Sequence, residues 1–250
     1  MRLEVIPLPC SRRVRRGDDV AEIVVQAMRK QGVVPEDGDV VVVSEKVVAK
    51  SEGRMVRLEE VVPGRRALEL AEAGDKDPRV VELVLRESER VVAAEDGVLI
   101  VETKHGFVCA NAGVDLSNVE EGFAKLLPEK PDESARRIRE RLEEWTGRRL
   151  GVIVADSWGR PFRVGSVGVA VGCSGVIPVA DLRGRRDLFG RELRTTVVAV
   201  ADCIASAAVL VMGEAAEGTP AALVRGLRVM GEGSARELLR RREEDLFRKG

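Results

Sequence analysis

Valine runs and helix-spaced apolar stretches follow one another irregularly along this 250-residue chain. Residues 3–8 predict a first strand. Val20, Ile23, Val24, Ala27 and Met28 recur at helical spacing behind Asp18-Asp19, which supply a side-chain cap. Residues 40–43 are all valine and follow Asp37-Gly38-Asp39, so a turn feeds a buried strand. Residues 63–73 predict a helix stopped at Gly74. Asp77-Pro78 opens another that runs to about Arg90. Residues 98–110 predict a strand or hairpin turning at Lys104-His105-Gly106. Residues 132–145 make an amphipathic helix ended by Thr146-Gly147. Residues 150–155 predict a buried strand. Residues 164–176 alternate valine with glycine, as a strand does where other backbone comes close. Thr195-Thr196 is placed to cap an apolar helix through Met212, and Ser234 to cap a charged C-terminal helix. This irregular order predicts an α+β fold of mixed sheets with flanking helices rather than a doubly wound sheet. No repeat or long linker divides the chain. Residues 1–250 are expected to form one unit, or two interleaved subdomains.

Composition narrows the chemistry. The net charge is −1, from 41 basic and 42 acidic residues, which gives no basic field for nucleic acid. Tyrosine is absent and aromatics are 3%, which leaves little for base stacking. Charged residues reach 33%, and glutamine occurs only at Gln26 and Gln31. That pattern suits heat adaptation, though a GC-rich genome produces much of the same bias. Cys10, Cys109, Cys173 and Cys203 form no CxxC pair and are expected as buried, reduced thiols. The N-terminus carries no signal-type apolar stretch. The most apolar run, 197–212, is interrupted by Asp202 and falls short of the roughly 20 residues a bilayer requires. A soluble, cytoplasmic protein without membrane or nucleic-acid partners is expected. His105 is the single histidine, which removes multi-histidine metal sites and leaves little room for a Ser-His-Asp triad. Neither a GxxxxGK[ST] loop nor a GxGxxG turn is present. Carboxylates, hydroxyls and glycine-rich backbone remain, the chemistry of hard metals.

Several constellations could carry it. Asn111-Ala112-Gly113-Val114-Asp115-Leu116-Ser117-Asn118 follows a strand. On its own it reads more simply as an Asx-type turn. In residues 153–160 a buried strand delivers Asp156 and Ser157, a carboxylate and a hydroxyl suited to a divalent cation. Arg160 and Arg163 then offer charge to an anion. Residues 212–220 end an apolar helix in small residues with Glu214 and Glu217. Such a loop approaches phosphates with its backbone, or is an ordinary helix end stopped by Gly213 and Gly218. The arginine-dense stretch 181–192 holds an anionic substrate or is a solvated loop with internal ion pairs. Ser44-Glu45-Lys46, Lys50 and the basic cluster 12–16 are lesser candidates for phosphate. Together these segments fit a nucleotide with divalent metals. A metal-dependent phosphohydrolase or phosphotransferase, or a non-catalytic nucleotide-binding module, would use the same residues.

The blocks EVIPL, EDGDVVVVSEKVVAKSEGR, VCANAGVDLSNVEEG, GVIVADSWGRPFRVGSVGVAVGCSG, GRRDLFGRELRTTV and LVMGEAAEGTPAALVRGL span nearly the whole chain. In these blocks it resembles the coenzyme F-420:γ-glutamyl ligases of archaea. The resemblance implies an intertwined homodimer of unusual fold. It also implies a ligase that uses GTP, with Mg2+ or Mn2+ and in some members K+, to add L-glutamate to the glutamate-free F-420 precursor. A second glutamate then follows through a γ-linkage. By position, Asp115 and Asp156 would hold one metal, and Ser157 and Glu214 a second. Asp115, Asp156 and Glu214 would thereby be catalytic. Ser44, Glu45, Lys50 and Asn118 would contact GTP, as would Met212, Gly213, Glu214, Ala215, Ala216, Glu217, Gly218 and Thr219. Ser11, Arg12, Arg13 and Val14 align with a further nucleotide segment, where relatives are more apolar. Ser157 stands for a threonine, and Trp158 occupies a position often polar in relatives. No fused reductase-like domain is expected.

Overall fold

The structure, a computed structural model, describes residues 2–10, 12–95 and 97–245. In chain order its elements are β1 (Glu4–Leu8), α1 (Val20–Gln31), β2 (Val40–Ser44), α2 (Glu45–Ser51), β3 (Met55–Arg57), α3 (Arg65–Gly74), α4 (Pro78–Arg86), β4 (Ser88–Glu95) and β5 (Val98–Thr103). They continue as β6 (Val108–Ala110), β7 (Phe123–Lys125), α5 (Pro131–Thr146), β8 (Gly151–Arg160), β9 (Arg163–Ser174), β10 (Val179–Asp181), β11 (Val197–Ala199), α6 (Val200–Met212) and β12 (Ala221–Arg225). The mixed sheets and flanking helices agree with the α+β expectation.

The main sheet is five-stranded, in the order β1-β12-β2-β8-β9. Only β2 and β8 pair in parallel, Val40 opposite Gly151 through Ser44 opposite Ala155. The valine run explains why this pair is central. Alternate residues of a strand point to opposite faces, so an unbroken apolar run is stable only when both faces are covered. Val41, Val43, Val152 and Val154 pack with α1 and α5, while Val40, Val42, Ile153 and Ala155 pack with α6. Gly172 and Gly168 are where helices meet the sheet. A Cβ on the first would collide with Pro131 of α5, and one on the second with the Ala205 backbone of α6. The close approach expected of the Val/Gly strand is thus present. A third cluster joins α3 and α4 to β5 through Ala67, Ala71, Val81, Val84, Leu99 and Val101.

Local signals hold where tertiary pairing does not compete. Asp19 caps α1, accepting from the Ala21 and Glu22 N–H groups, and Gly147 ends α5 in the left-handed region. Elsewhere pairing wins. Helix α4 stops at Arg86, short of Arg90, because β4 begins at Ser88 and pairs with β5. Thr195-Thr196 does not cap α6. Residues 197–199 pair with β10, so the helix starts at Val200. Ser234 does form a capping box with Glu237, but only a 3-10 turn at Ala235–Leu238 follows. The Ser234 hydroxyl and Ala235 N–H bond Asp132 at 2.7 and 3.0 Å, a tertiary tie that directs the chain away from a longer helix. Cys109 and Cys173 are buried as expected, but Cys10 is half-buried and Cys203 exposed. Among the described residues no helix is long and apolar enough to cross a membrane.

Candidate active site

In open sheets, sites form beyond the carboxyl ends of parallel strands. At that end of β2 and β8 several loops are stitched together. The Ser44 N–H donates to the Pro220 carbonyl and the Cys10 N–H to the Gly218 carbonyl, each at 2.8 Å. The loop after α6 is therefore held between the end of β2 and the segment carrying Arg12, Arg13 and Val14. Ser11 lies outside the described residues. Arg12 pairs with Asp18 at 3.4 Å.

Loop 115–118 enters through an unusual turn. Asn111, Ala112 and Gly113 have φ of 53°, 52° and 68°, a consecutive left-handed run. An alanine there costs about 1 kcal/mol, and a side chain at residue 113 would strike Leu127. The turn delivers Asp115 to a backbone bridge with Lys125. The Ser117 N–H and hydroxyl donate to the Asp115 carboxylate at 2.7 and 2.9 Å, so the Asx turn is present. Its Oδ2 is also 2.7 Å from Lys46 Nζ. Burial opposes its ionisation, but Lys46 and Ser117 outweigh burial and hold Asp115 below the usual carboxylate range. One helical turn along α2, Lys50 donates to the Asn118 carbonyl at 2.5 Å. Burial first, then Lys46, lowers the pKa of Lys50. The Asn118 side-chain amide donates to the Ala215 carbonyl at 2.8 Å. Helix α2, loop 115–118 and loop 212–219 thus form one rim.

Strand β8 feeds this rim from both faces. Asp156 and Trp158 lie on the side of Val152 and Val154, where Trp158 packs. Asp156 accepts from the Trp158 indole N–H at 2.7 Å and from the Ser157 N–H at 2.9 Å. Ser157 lies on the α6 side, and its hydroxyl donates to Glu214 at 2.7 Å. The Ala215 N–H donates to Glu217 at 2.8 Å. Met212 is buried under this loop, while residues 214–217 are exposed.

Glu45 departs from expectation. Its side chain turns inward to Lys125, 2.5 Å away, and both are 1% exposed. Only its backbone is left for a nucleotide. Burial, reinforced by Asp156 and opposed by Lys125, pushes Glu45 up to about 7, and its second oxygen is buried without a hydrogen-bond partner. Burial disfavours the Lys125 cation, yet Glu45, Asp156 and Asp115 together raise its pKa. The sequence reading missed Lys125. Its signal was a lone lysine inside the apolar run 123–127. Burial and Asp156 push the Cys109 thiol up to about 12, which makes it inert.

Among the described residues, no group of three or more His, Cys, Asp or Glu side chains could hold a metal. The fit rests on donor chemistry instead. Ser157 Oγ and Glu214 Oε2 are adjacent hard donors, and Mg2+ takes one or two carboxylates and completes its shell with water and phosphate oxygens. The arginine-rich loop lies apart from these contacts. Asp181 pairs with Arg183 at 2.6 Å, Asp187 accepts from the Phe189 and Arg191 N–H groups, and most of the loop is exposed. Arg160 donates to the Gly165 carbonyl at 3.1 Å within the β8–β9 hairpin, and Arg163 is exposed.

The sequence model of the F420-0:gamma-glutamyl ligase family matches residues 10–226. The chain belongs to this family. It is 49% identical over 251 residues to the coenzyme F420:L-glutamate ligase of Methanopyrus kandleri, covering 98% of each chain. It is 49% identical to the enzyme of that name from Methanothermobacter thermautotrophicus, covering 94% of each. The corresponding Archaeoglobus fulgidus enzyme is 49% identical over 249 residues, spanning all of this chain and 98% of that one. Family membership gives the rim a substrate class to be tested against. The family match also spans the rim and its supports, Glu45 and Lys125 included.

Proposed function

We propose that this chain is a coenzyme F-420:L-glutamate ligase that uses GTP. The near full-length similarity to archaeal enzymes of that name carries the reading. The rim at the end of β2 and β8 supports it, since it gathers the residues that resemblance assigns to nucleotide and metal. A carboxylate does not acylate an amine directly, because oxide is a poor leaving group. In the proposed route a carboxylate oxygen of the F-420 precursor attacks the γ-phosphorus of GTP, and the bond to the β-phosphate oxygen breaks. GDP leaves and an acyl phosphate forms. The L-glutamate amine then attacks the acyl carbon, phosphate departs and the nitrogen loses a proton. A second glutamate adds in the same way to the γ-carboxylate of the first.

Such a route asks for alignment and charge neutralisation more than for a protein nucleophile. Asp115 with Asp156, and Ser157 with Glu214, would hold Mg2+ or Mn2+, whose chemistry here is neutralisation of phosphate charge. Lys46 and Lys50 fix loop 115–118 while adding positive charge to the rim. Asn118 fixes loop 212–219, whose backbone is placed to cradle phosphates. K+ is assigned no residue. A homodimer belongs to the same proposal. It is supported by Phe162, Val164, Leu188 and Phe189, apolar side chains that stand out in solvent on the β8–β9 hairpin and the following loop. A solution mass equal to one chain would overturn the dimer.

The deciding assay incubates the chain with glutamate-free F-420, L-glutamate, GTP and Mg2+ or Mn2+, then reads product masses and GDP. The expected result is added glutamate with matching GDP release, abolished in Asp156→Ala with the fold retained by circular dichroism. GTP hydrolysis without glutamate transfer would replace the ligase by a phosphohydrolase. Near-normal turnover in Asp156→Ala would remove the metal assignment.

A further inference from the structure

Trp158 is left over from the proposed chemistry, yet it is built into the site. Strand periodicity puts it beside Asp156 on one face of β8. Its indole N–H reaches Asp156 Oδ2 at 2.7 Å while the Ser157 N–H takes Oδ1 at 2.9 Å. The carboxylate is therefore gripped at both oxygens. The ring is itself anchored. It meets Phe107 edge-on with centroids 5.3 Å apart, and Phe107 stacks on His105 at 5.8 Å. Phe107 is buried in the main core and its N–H bonds the Thr103 hydroxyl at 3.1 Å. His105 Nε2 bonds the Pro128 carbonyl at 2.9 Å. His105, Phe107 and Trp158 thus form a braced stack that ends on Asp156.

We infer that Trp158 is a positioning residue that fixes the Asp156 carboxylate for a divalent cation. The physical reason lies in the donor. An indole N–H donates one hydrogen bond and carries no charge, so it sets the carboxylate's rotation without competing electrostatically for its lone pairs. A lysine or arginine in its place would act as a rival cation. Groups that orient metal-ligating carboxylates govern affinity although they never touch the metal.

This inference rests on the reading of Asp156 as a metal ligand, and the test separates the two. The full-length chain is stripped of metal and titrated with Mn2+ and with Mg2+ by calorimetry, as wild type, Trp158→Phe and Asp156→Asn. Tryptophan emission is followed in a Trp145→Phe background, where residue 158 is the sole tryptophan. The expected result is an emission change whose midpoint matches calorimetry, with affinity about 10- to 100-fold weaker in Trp158→Phe. Turnover then shows a raised metal requirement with kcat largely restored at saturating metal. Equal affinity in wild type and Trp158→Phe, whatever the loss of thermal stability, would reduce Trp158 to packing and overturn the inference. If the wild type binds but Asp156→Asn binds equally, or if the wild type binds no metal, the reading of Asp156 falls and Trp158 with it.

Discussion

Asp156 and Ser157 are neighbours in sequence, but they serve two unlike regions. The Asp156 region is backed by protein: an indole on one oxygen, the buried Lys125–Glu45 pair behind it, and Asp115 clamped by Lys46 and Ser117. The Ser157 region opens to solvent. There a hydroxyl meets Glu214 on an exposed loop that follows a helix end. The strand's two-residue period produces this division, since adjacent side chains must leave on opposite faces. Charge on the buried side has to be compensated inside the protein, whereas charge on the open side is compensated by water. The first region should therefore link site chemistry to fold stability, and the second should not.

Removing the internal cation gives the largest test of that contrast. Lys125→Met leaves Glu45 buried with no counter-charge, and breaking a buried pair costs about 3–5 kcal/mol. Chemical unfolding of metal-free protein at pH 8 to 9 should show the full loss. At lower pH, Glu45 takes up a proton and limits it. The matching truncation on the open side, Glu214→Gln, should stay within about 0.5 kcal/mol. Similar losses from the two variants would erase the distinction.

That contrast also governs what the sequence made legible. The valine strands, the Asp19 cap and the Gly147 stop follow from local rules, and they place Asp156 and Ser157 at the end of a buried strand. The open region was readable for the same reason, because its glycines and carboxylates follow one apolar helix. The buried region was not. Lys125 and Glu45 stand 80 residues apart, and a lone lysine in an apolar run does not announce its counter-charge. Glu45 was accordingly expected to face the nucleotide with its side chain. Tertiary bonds also overrode sound local signals, as where Asp132 captures the Ser234 hydroxyl and a capped helix shrinks to a single 3-10 turn.

Proton linkage probes the buried region more gently. Glu45 is raised from an ordinary value of 4.5 to about 7, chiefly by burial. Between those values the folded chain holds a proton that the unfolded chain has released. Stability conferred by the protonated carboxyl is thus present below pH 4.5 and declines as pH rises through 7. The shift corresponds to about 3 kcal/mol across the window. Glu45→Gln cannot release that proton, so the stability of the wild type minus that of the variant should fall across this range in metal-free protein. A difference that stays flat from pH 4.5 to 7.5 would mean that Glu45 is ionised throughout, with Lys125 dominating burial.

The smallest structural effect belongs to Ser157→Ala. The hydroxyl donates to Glu214, and without it that carboxylate turns to water at little cost, so the unfolding midpoint should barely move. Affinity for the divalent ion should respond differently. One neutral oxygen donor is lost while Glu214 remains, and the Mg2+ concentration giving half-maximal turnover should rise by about tenfold, equivalent to 1.4 kcal/mol. Ser157→Thr keeps the hydroxyl on the same strand face and should restore the wild-type requirement. A Ser157→Ala protein that unfolds as easily as Lys125→Met would show that the open region also supports the fold. Unchanged Mg2+ dependence would instead detach Ser157 from the metal, leaving Glu214 to serve the site from the loop alone.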